Sequence, residues 1–284
     1  MADSELPMLN LTDEEREALQ REGSRLDRLL TASMRSARPL VEPPRPGSAM
    51  DLANKAGVRE TFDMAYGLIF AAEDHFRSLM LILRIGPLPG FSLYSLLRPA
   101  MEAAVRCHHL LDPDISEQLR LARGLNERLD NLEEQLKVDR KDPGTAAEFF
   151  SQRVARLEQR AKDNDIQVLR RRKPPHTIHA FGEPRPNDID LFAAYLPGGA
   201  GATAFRFLSG HVHSKFWVWV RGDRAFPSKE PGVALVSTEV NVLVFAAMLK
   251  AATDLHDSNL GNWLTLAGYQ PEVWTAAKQT PPSR

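Results

Sequence analysis

The run VRETFDMAYGLIFAAEDHFRSLMLILR, residues 58–84, decides the architecture. Its apolar members recur at helical spacing: Phe62, Ala65, Tyr66, Ile69 and Phe70, then Phe76, Leu79, Met80 and Leu83. A period near 3.6 sustained over so many turns predicts one long core helix. Gly86-Pro87-Leu88-Pro89-Gly90 stops it, because proline lacks the helical donor and glycine lacks conformational restraint.

The pattern repeats on both sides. Phe91 to Leu111 forms the next predicted helix, ended by Asp112-Pro113. Ser116 to Val138 follows as a more solvated helix, with i,i+4 charge such as Arg123–Glu127 and with Arg128 near Glu133. Asp142-Pro143-Gly144 turns the chain into a helix over Thr145–Asp163. A Pro/Gly-interrupted passage runs to Asp190, followed by a short apolar helix at Leu191–Leu196 and a hinge at Pro197–Gly201. Phe216–Val220 reads as a strand, Arg221–Arg224 as a turn and Pro227–Gly232 as a loop. A closing helix spans Ser237 to about Leu266, with Val240, Leu243, Val244, Ala247, Met248, Ala251 and Leu255 as its buried stripe.

Upstream, Thr12 and Glu15 form a capping box that opens the first helix. Leu19, Leu26, Leu29 and Leu30 give it a narrow apolar stripe before the proline-rich Arg38–Ser48. Residues 1–50 read as a helical arm and linker docking on the chain's own body or on a second subunit; the body is 51–284. At least five long amphipathic helices and no repeat predict an all-α helical bundle with an N-terminal helical arm.

The 284 residues are 43% hydrophobic and 26% charged, ordinary values for a soluble globular chain. A net charge of −1 leaves no global attraction for nucleic acid or anionic membrane, so such binding needs a local patch. Cys107 is the single cysteine and cannot form an intrachain disulfide; within an apolar run it reads as a packed small hydrophobe. The N-terminus is acidic without a signal layout, and charges interrupt the apolar windows at Glu73, Asp74 and Lys250. These features predict a cytoplasmic protein with no membrane partner.

Chemistry concentrates between Ala204 and Lys215. Arg206, Ser209, Gly210 and His213 share one helical face, while His211 sits about 140° round the axis from Arg206. Metal readings begin from the histidines. Paired Glu-x-x-His motifs are absent, since Glu73 is followed by Phe76 and Glu102 by Val105 at that spacing. On a strand, His211 and His213 would point to one side and could ligate zinc, given a third ligand such as His109, Asp254 or His256. No Gly-x-Ser-x-Gly elbow and no phosphate loop occurs. Arg170-Arg171-Arg172-Lys173 is either a solvated loop or an RNA-contacting patch. His108 and His109 read as surface or partner-facing, and Trp217, Trp219 and Trp263 as core or interface.

Arginine plus histidine suits metal-free RNA cleavage. Imidazole moves protons near neutral pH and guanidinium holds the phosphate as charge develops. Arg206-x4-His211 and Arg206-x6-His213 resemble the signature of the HEPN superfamily, helical bundles of bacterial defence and toxin systems that include many ribonucleases. Related bacterial bundle families carry Arg and Glu one turn apart on an early helix and a Ser-x-x-x-His on a late one; Arg98/Glu102 and Ser209/His213 are similar. The chain departs from active HEPN members at Phe207, where they carry a polar residue, and Pro99 predicts a helix start or kink.

The resemblance implies a metal-independent endoribonuclease acting as a homodimer, with the arm as a reasonable dimerisation element. His213 or His211 would be the acid/base and Arg206 the phosphate clamp; Glu102 would orient a partner and Arg98 would add charge. It implies no metal and no organic cofactor. One alternative is a non-catalytic nucleotide- or protein-binding bundle in which Arg98, Glu102, Arg206 and His213 form a buried paired network. Another is a zinc-dependent hydrolase.

Overall fold

The computed structural model describes residues 11–35, 43–56, 58–85, 88, 90–138, 143–172, 177–213, 215, 225–227, 234–236 and 240–279. Among them are ten α-helices and four short strands. The chain is an all-α bundle, and no helix of the described residues is long and apolar enough to cross a bilayer.

The fold is assembled around α3 (Glu60–Ile85) and α4 (Gly90–Leu111). These two pack along most of their length and bury Ala72, Phe76, Leu79 and Leu83 against Leu93, Leu97, Ala100 and Ala104. A leucine or phenylalanine removed from water contributes about 2 kcal/mol, so this seam dominates the core. α4 continues through Pro99, which therefore neither starts nor ends the helix. The missing donor costs one hydrogen bond, which the packing of Leu97, Ala100 and Met101 offsets.

α1 (Asp13–Arg35) lies on α9 (Val242–Leu266) and α3, with Leu19, Leu26, Leu29 and Leu30 all buried. Its apolar stripe is thus consumed within the same chain. The Thr12 hydroxyl accepts from the Glu15 amide at 3.2 Å, and the Glu15 carboxylate accepts from the Thr12 amide at 3.0 Å. α2 (Ala49–Lys55) is capped by Ser48, and α10 (Pro271–Gln279) closes a second core with Trp274 beside Trp263 and Phe62.

The closing helix differs from expectation in start and phase. It begins at Val242, with the Asn241 side chain accepting from the Val244 amide. Val242, Phe245, Ala246, Leu249 and Ala252 face inward, whereas Leu243, Val244 and Ala247 are exposed. Its first two turns are apolar on every side, so periodicity alone did not set the phase.

α5 (Glu117–Val138) and α6 (Pro143–Asp163) form a third core through Leu121, Leu125, Leu129, Leu132, Leu157 and Ala161. α5 is less solvated than its charge suggests. Arg123 pairs with Glu183 and Asp112, and Glu127 with Arg106, rather than with each other along the helix. The Pro/Gly passage contains an antiparallel hairpin: β1 (Val168–Arg170) opposite β2 (Ile178–Phe181), with Ile178 and Phe181 in the third core. β3 (Ala225–Pro227) pairs with β4 (Ala234–Val236). The expected strand at 216–220 and turn at 221–224, with Trp217 and Trp219, lie outside the described residues, as does Lys173.

Candidate functional site

The arginine–histidine stretch occupies α8 (Gly201–Val212), which α7 (Asp188–Tyr195) and α4 support. Asn187 and Asp190 cap α7 reciprocally. The expected hinge is a single 3₁₀ turn, Pro197–Gly199, in which Gly198 and Gly199 have φ of +73° and +69°. That left-handed backbone favours glycine. Gly201 then rides on the α7 backbone, where an added Cβ would stand 2.8 Å from the Ala193 nitrogen. Three glycines therefore set the α7–α8 corner and aim α8.

Leu208 and Gly210 face inward, and Phe205 packs edge-on to Phe192 with ring centroids 5.2 Å apart. Phe207, in the position polar in active HEPN members, packs edge-on against Tyr94 at 5.2 Å. Arg206 and His213 are exposed and Ser209 is half-buried. Arg206 and His213 lie on one face, about 10 Å apart along the axis. Neither side chain has a partner among the described residues.

His211 lies off that face. Its ring is half-buried among Tyr94 at 4.2 Å, Phe207 at 4.4 Å and Phe91 at 5.7 Å. Nδ1 lies 3.0 Å from the Phe207 carbonyl oxygen, an acceptor only, so Nδ1 carries the proton and Nε2 keeps its lone pair. Burial lowers its pKa, against the Phe207 hydrogen bond, so the ring is neutral at neutral pH. Tyr94 donates to the Asn241 carbonyl at 3.2 Å, and burial pushes its hydroxyl pKa up. This ring cluster joins α4, α8 and the start of α9.

Arg98 and Glu102 pair across one turn of α4 at 2.8 Å, and the Arg98 guanidinium sits 5.0 Å from the Phe205 ring centroid. The alternative of one buried network of Arg98, Glu102, Arg206 and His213 is thereby corrected: the first two satisfy each other, and the last two stand in solvent. The strand geometry considered for a zinc pair does not occur. His211 and His213 end a helix, which turns them about 200° apart. His109, Asp254 and His256 have other partners, and no group of three potential metal-binding side chains occurs among the described residues.

Two polar clusters escaped sequence reasoning. His108 and His109 are not free surface residues. His108 Nδ1 meets Asn259 at 2.9 Å, and His109 Nδ1 meets the Tyr195 hydroxyl at 3.0 Å, beside Arg123. Burial, helped by the Arg123 charge, pushes the His109 pKa down to about 4. In the core, Glu73 takes the Ser33 hydroxyl and Arg77 at 2.7 Å, with His256 Nε2 3.6 Å away. Burial raises the Glu73 pKa, but His256, Ser33 and Arg77 outweigh it and hold the carboxylate below its ordinary value. Apart from Arg77, one turn from Glu73, these partners lie tens to hundreds of residues apart, so no local spacing announces them. Arg170, Arg171 and Arg172 are exposed and line the wall of an open groove between α5, α6 and the β1–β2 hairpin.

No family model matches the chain, and neither the curated proteins nor the solved structures contain a match to it.

Proposed function

We propose that the chain is a HEPN-like, metal-independent endoribonuclease of a defence or toxin system, with Arg206 and His213 carrying the chemistry. The observation behind this reading is the shared exposed face on which these two side chains, without partners among the described residues, stand. Arg206 holds the scissile phosphate and His213 accepts the 2′-hydroxyl proton. The O2′–P bond forms and the P–O5′ bond breaks. The departing oxygen takes a proton from an imidazolium or water, leaving a 2′,3′-cyclic phosphate and a 5′-hydroxyl. Ser209, between them on the helix, lies within reach of the same phosphate. The His211 ring, fixed in one tautomer, positions α8 against Tyr94. A homodimer, which would bring a second histidine to the reaction, is part of the reading.

The test is RNA cleavage in excess EDTA by the wild type, Arg206→Ala and His213→Ala. Both positions are exposed, so each variant is expected to keep its stability within about 0.5 kcal/mol. Cleavage that survives chelation and falls at least a hundredfold in both variants is the expected result. Cleavage that persists in both would remove the chemistry from α8. A second reading, a non-catalytic nucleotide- or protein-binding bundle, draws on Arg98 and Glu102 satisfying each other and on His211 being packed among rings. Tight RNA binding without cleavage would favour it.

A further inference from the structure

The groove between α5, α6 and the β1–β2 hairpin has a volume of about 1340 Å³ and is separate from α8. That is more than a single small ligand fills, and it opens to solvent. Its floor is apolar, since Leu129 and Ile178 belong to the third core and Val154 and Phe150 pack against it. Its rim is cationic, with Arg170, Arg171 and Arg172 in succession.

The two carboxylates that line it are already committed. Glu158 binds Arg170 at 2.7 Å and Lys162 at 2.9 Å, and Glu133 binds Arg185 at 2.9 Å. Three arginines against two carboxylates leave the groove lining with a net positive formal charge. The hairpin is also irregular here. Leu169 stands opposite Ala180 but Arg170 opposite Ile178, so His179 is an extra residue in β2, a bulge that re-aims its side chain. His179 enters the groove wall with Nδ1 buried and without a hydrogen-bond partner among the described residues. Bulges of this kind gather beside functional sites.

An apolar floor with a half-buried phenylalanine below an arginine rim matches a ligand that is planar and apolar on one side and anionic on the other. Repeated along an open groove, that is a strand of unpaired nucleotides, with bases against the floor and phosphates at the rim. A duplex would keep its bases stacked on each other and leave the floor unused. We infer that this groove holds single-stranded RNA, as a binding surface apart from α8. The inference rests on the reading of the chain as one that acts on RNA.

Binding is measured by fluorescence anisotropy with a labelled 2′-O-methyl oligouridine, which cannot be cleaved through its 2′-oxygen. The wild type is compared with the Arg171→Glu/Arg172→Glu double variant, and with Arg16→Glu/Arg59→Glu as a control of equal charge change. The groove variant is expected to bind at least tenfold more weakly. Its log–log salt slope should be shallower by about 1.4, two phosphate contacts at roughly 0.7 each. Phe150→Leu, which keeps the floor filled, should weaken binding about fivefold without changing that slope. Unchanged binding in the groove variant, an equal loss in the control, or equal displacement by polyglutamate would overturn the inference; the last would indicate an acidic peptide as occupant. EDTA-resistant cleavage of ordinary RNA separates the two readings. Cleavage lost in Arg206→Ala but untouched in the groove variant, with binding also unchanged, would sink the groove and leave the ribonuclease. Groove-dependent binding without any cleavage would do the reverse.

Discussion

Burial decides what the titratable side chains of this chain can do. His109 exposes only 13% of its side chain and titrates near 4 in the folded protein, against 6.5 for an ordinary imidazole. Between those values the unfolded chain binds a proton that the folded chain refuses. Folding stability is therefore complete above about pH 6.5 and falls as pH drops towards 4, by roughly 1.4 kcal/mol per unit. Denaturant unfolding of the wild type and His109→Gln at pH 7 and pH 5 isolates this contribution. The wild type is expected to lose about 2 kcal/mol more than the variant across that interval. Cys107 is fully buried, and desolvation pushes its thiol pKa up. It should resist an aromatic disulfide reagent in the native protein and react once per chain after denaturation. Rapid native labelling would mean that the α3–α4–α9 core opens locally.

At the scale of elements, one substitution has opposite expected signs on two helices. Gly124 of α5 faces Thr61 of α3 so closely that an added Cβ would lie 2.7 Å from the Thr61 Cβ and 3.0 Å from its Cα. Gly124→Ala must push the helices apart and is expected to lower stability by about 2 kcal/mol, despite the better helix propensity of alanine. Gly67 of α3 has nothing within 4 Å of its Cβ direction. Gly67→Ala there should raise stability by about 1 kcal/mol. Thermal melts of both variants test the pair; equal shifts would contradict the close approach. The same contrast explains what was legible. In α3 the expected stripe is buried at Phe62, Ala65, Ile69, Phe76, Leu79, Met80 and Leu83 but exposed at Tyr66 and Phe70, and the start of α9 is apolar all round, so that its inward side was misassigned.

Across the whole molecule, α1 behaves as core rather than appendage. Leu19, Leu26 and Leu30 share a cluster with α3, α4 and α9, and Ser33 supplies a hydroxyl to the buried Glu73. A chain beginning at residue 43 would uncover that cluster and leave the Glu73 carboxylate short of a donor. It is expected to lose its cooperative thermal transition, which circular dichroism would read. A transition kept within a few degrees of the wild type would make α1 dispensable.

The sequence by itself determined the helices that carry a clear period, their proline and glycine stops, the Thr12–Glu15 cap and the burial of Cys107. It also determined that Arg206, Ser209 and His213 share a face, because helical geometry is local. Tertiary structure alone decided the rest. It left Arg206 in solvent, turned His211 into a ring cluster, and sent Arg123 and Glu127 to partners on other elements. It folded a hairpin out of a passage that reads as loop, and set three arginines around a groove. The physical reason is range. Backbone hydrogen bonds and side-chain periodicity act within a few residues, while burial and ion pairing join residues that only packing brings together.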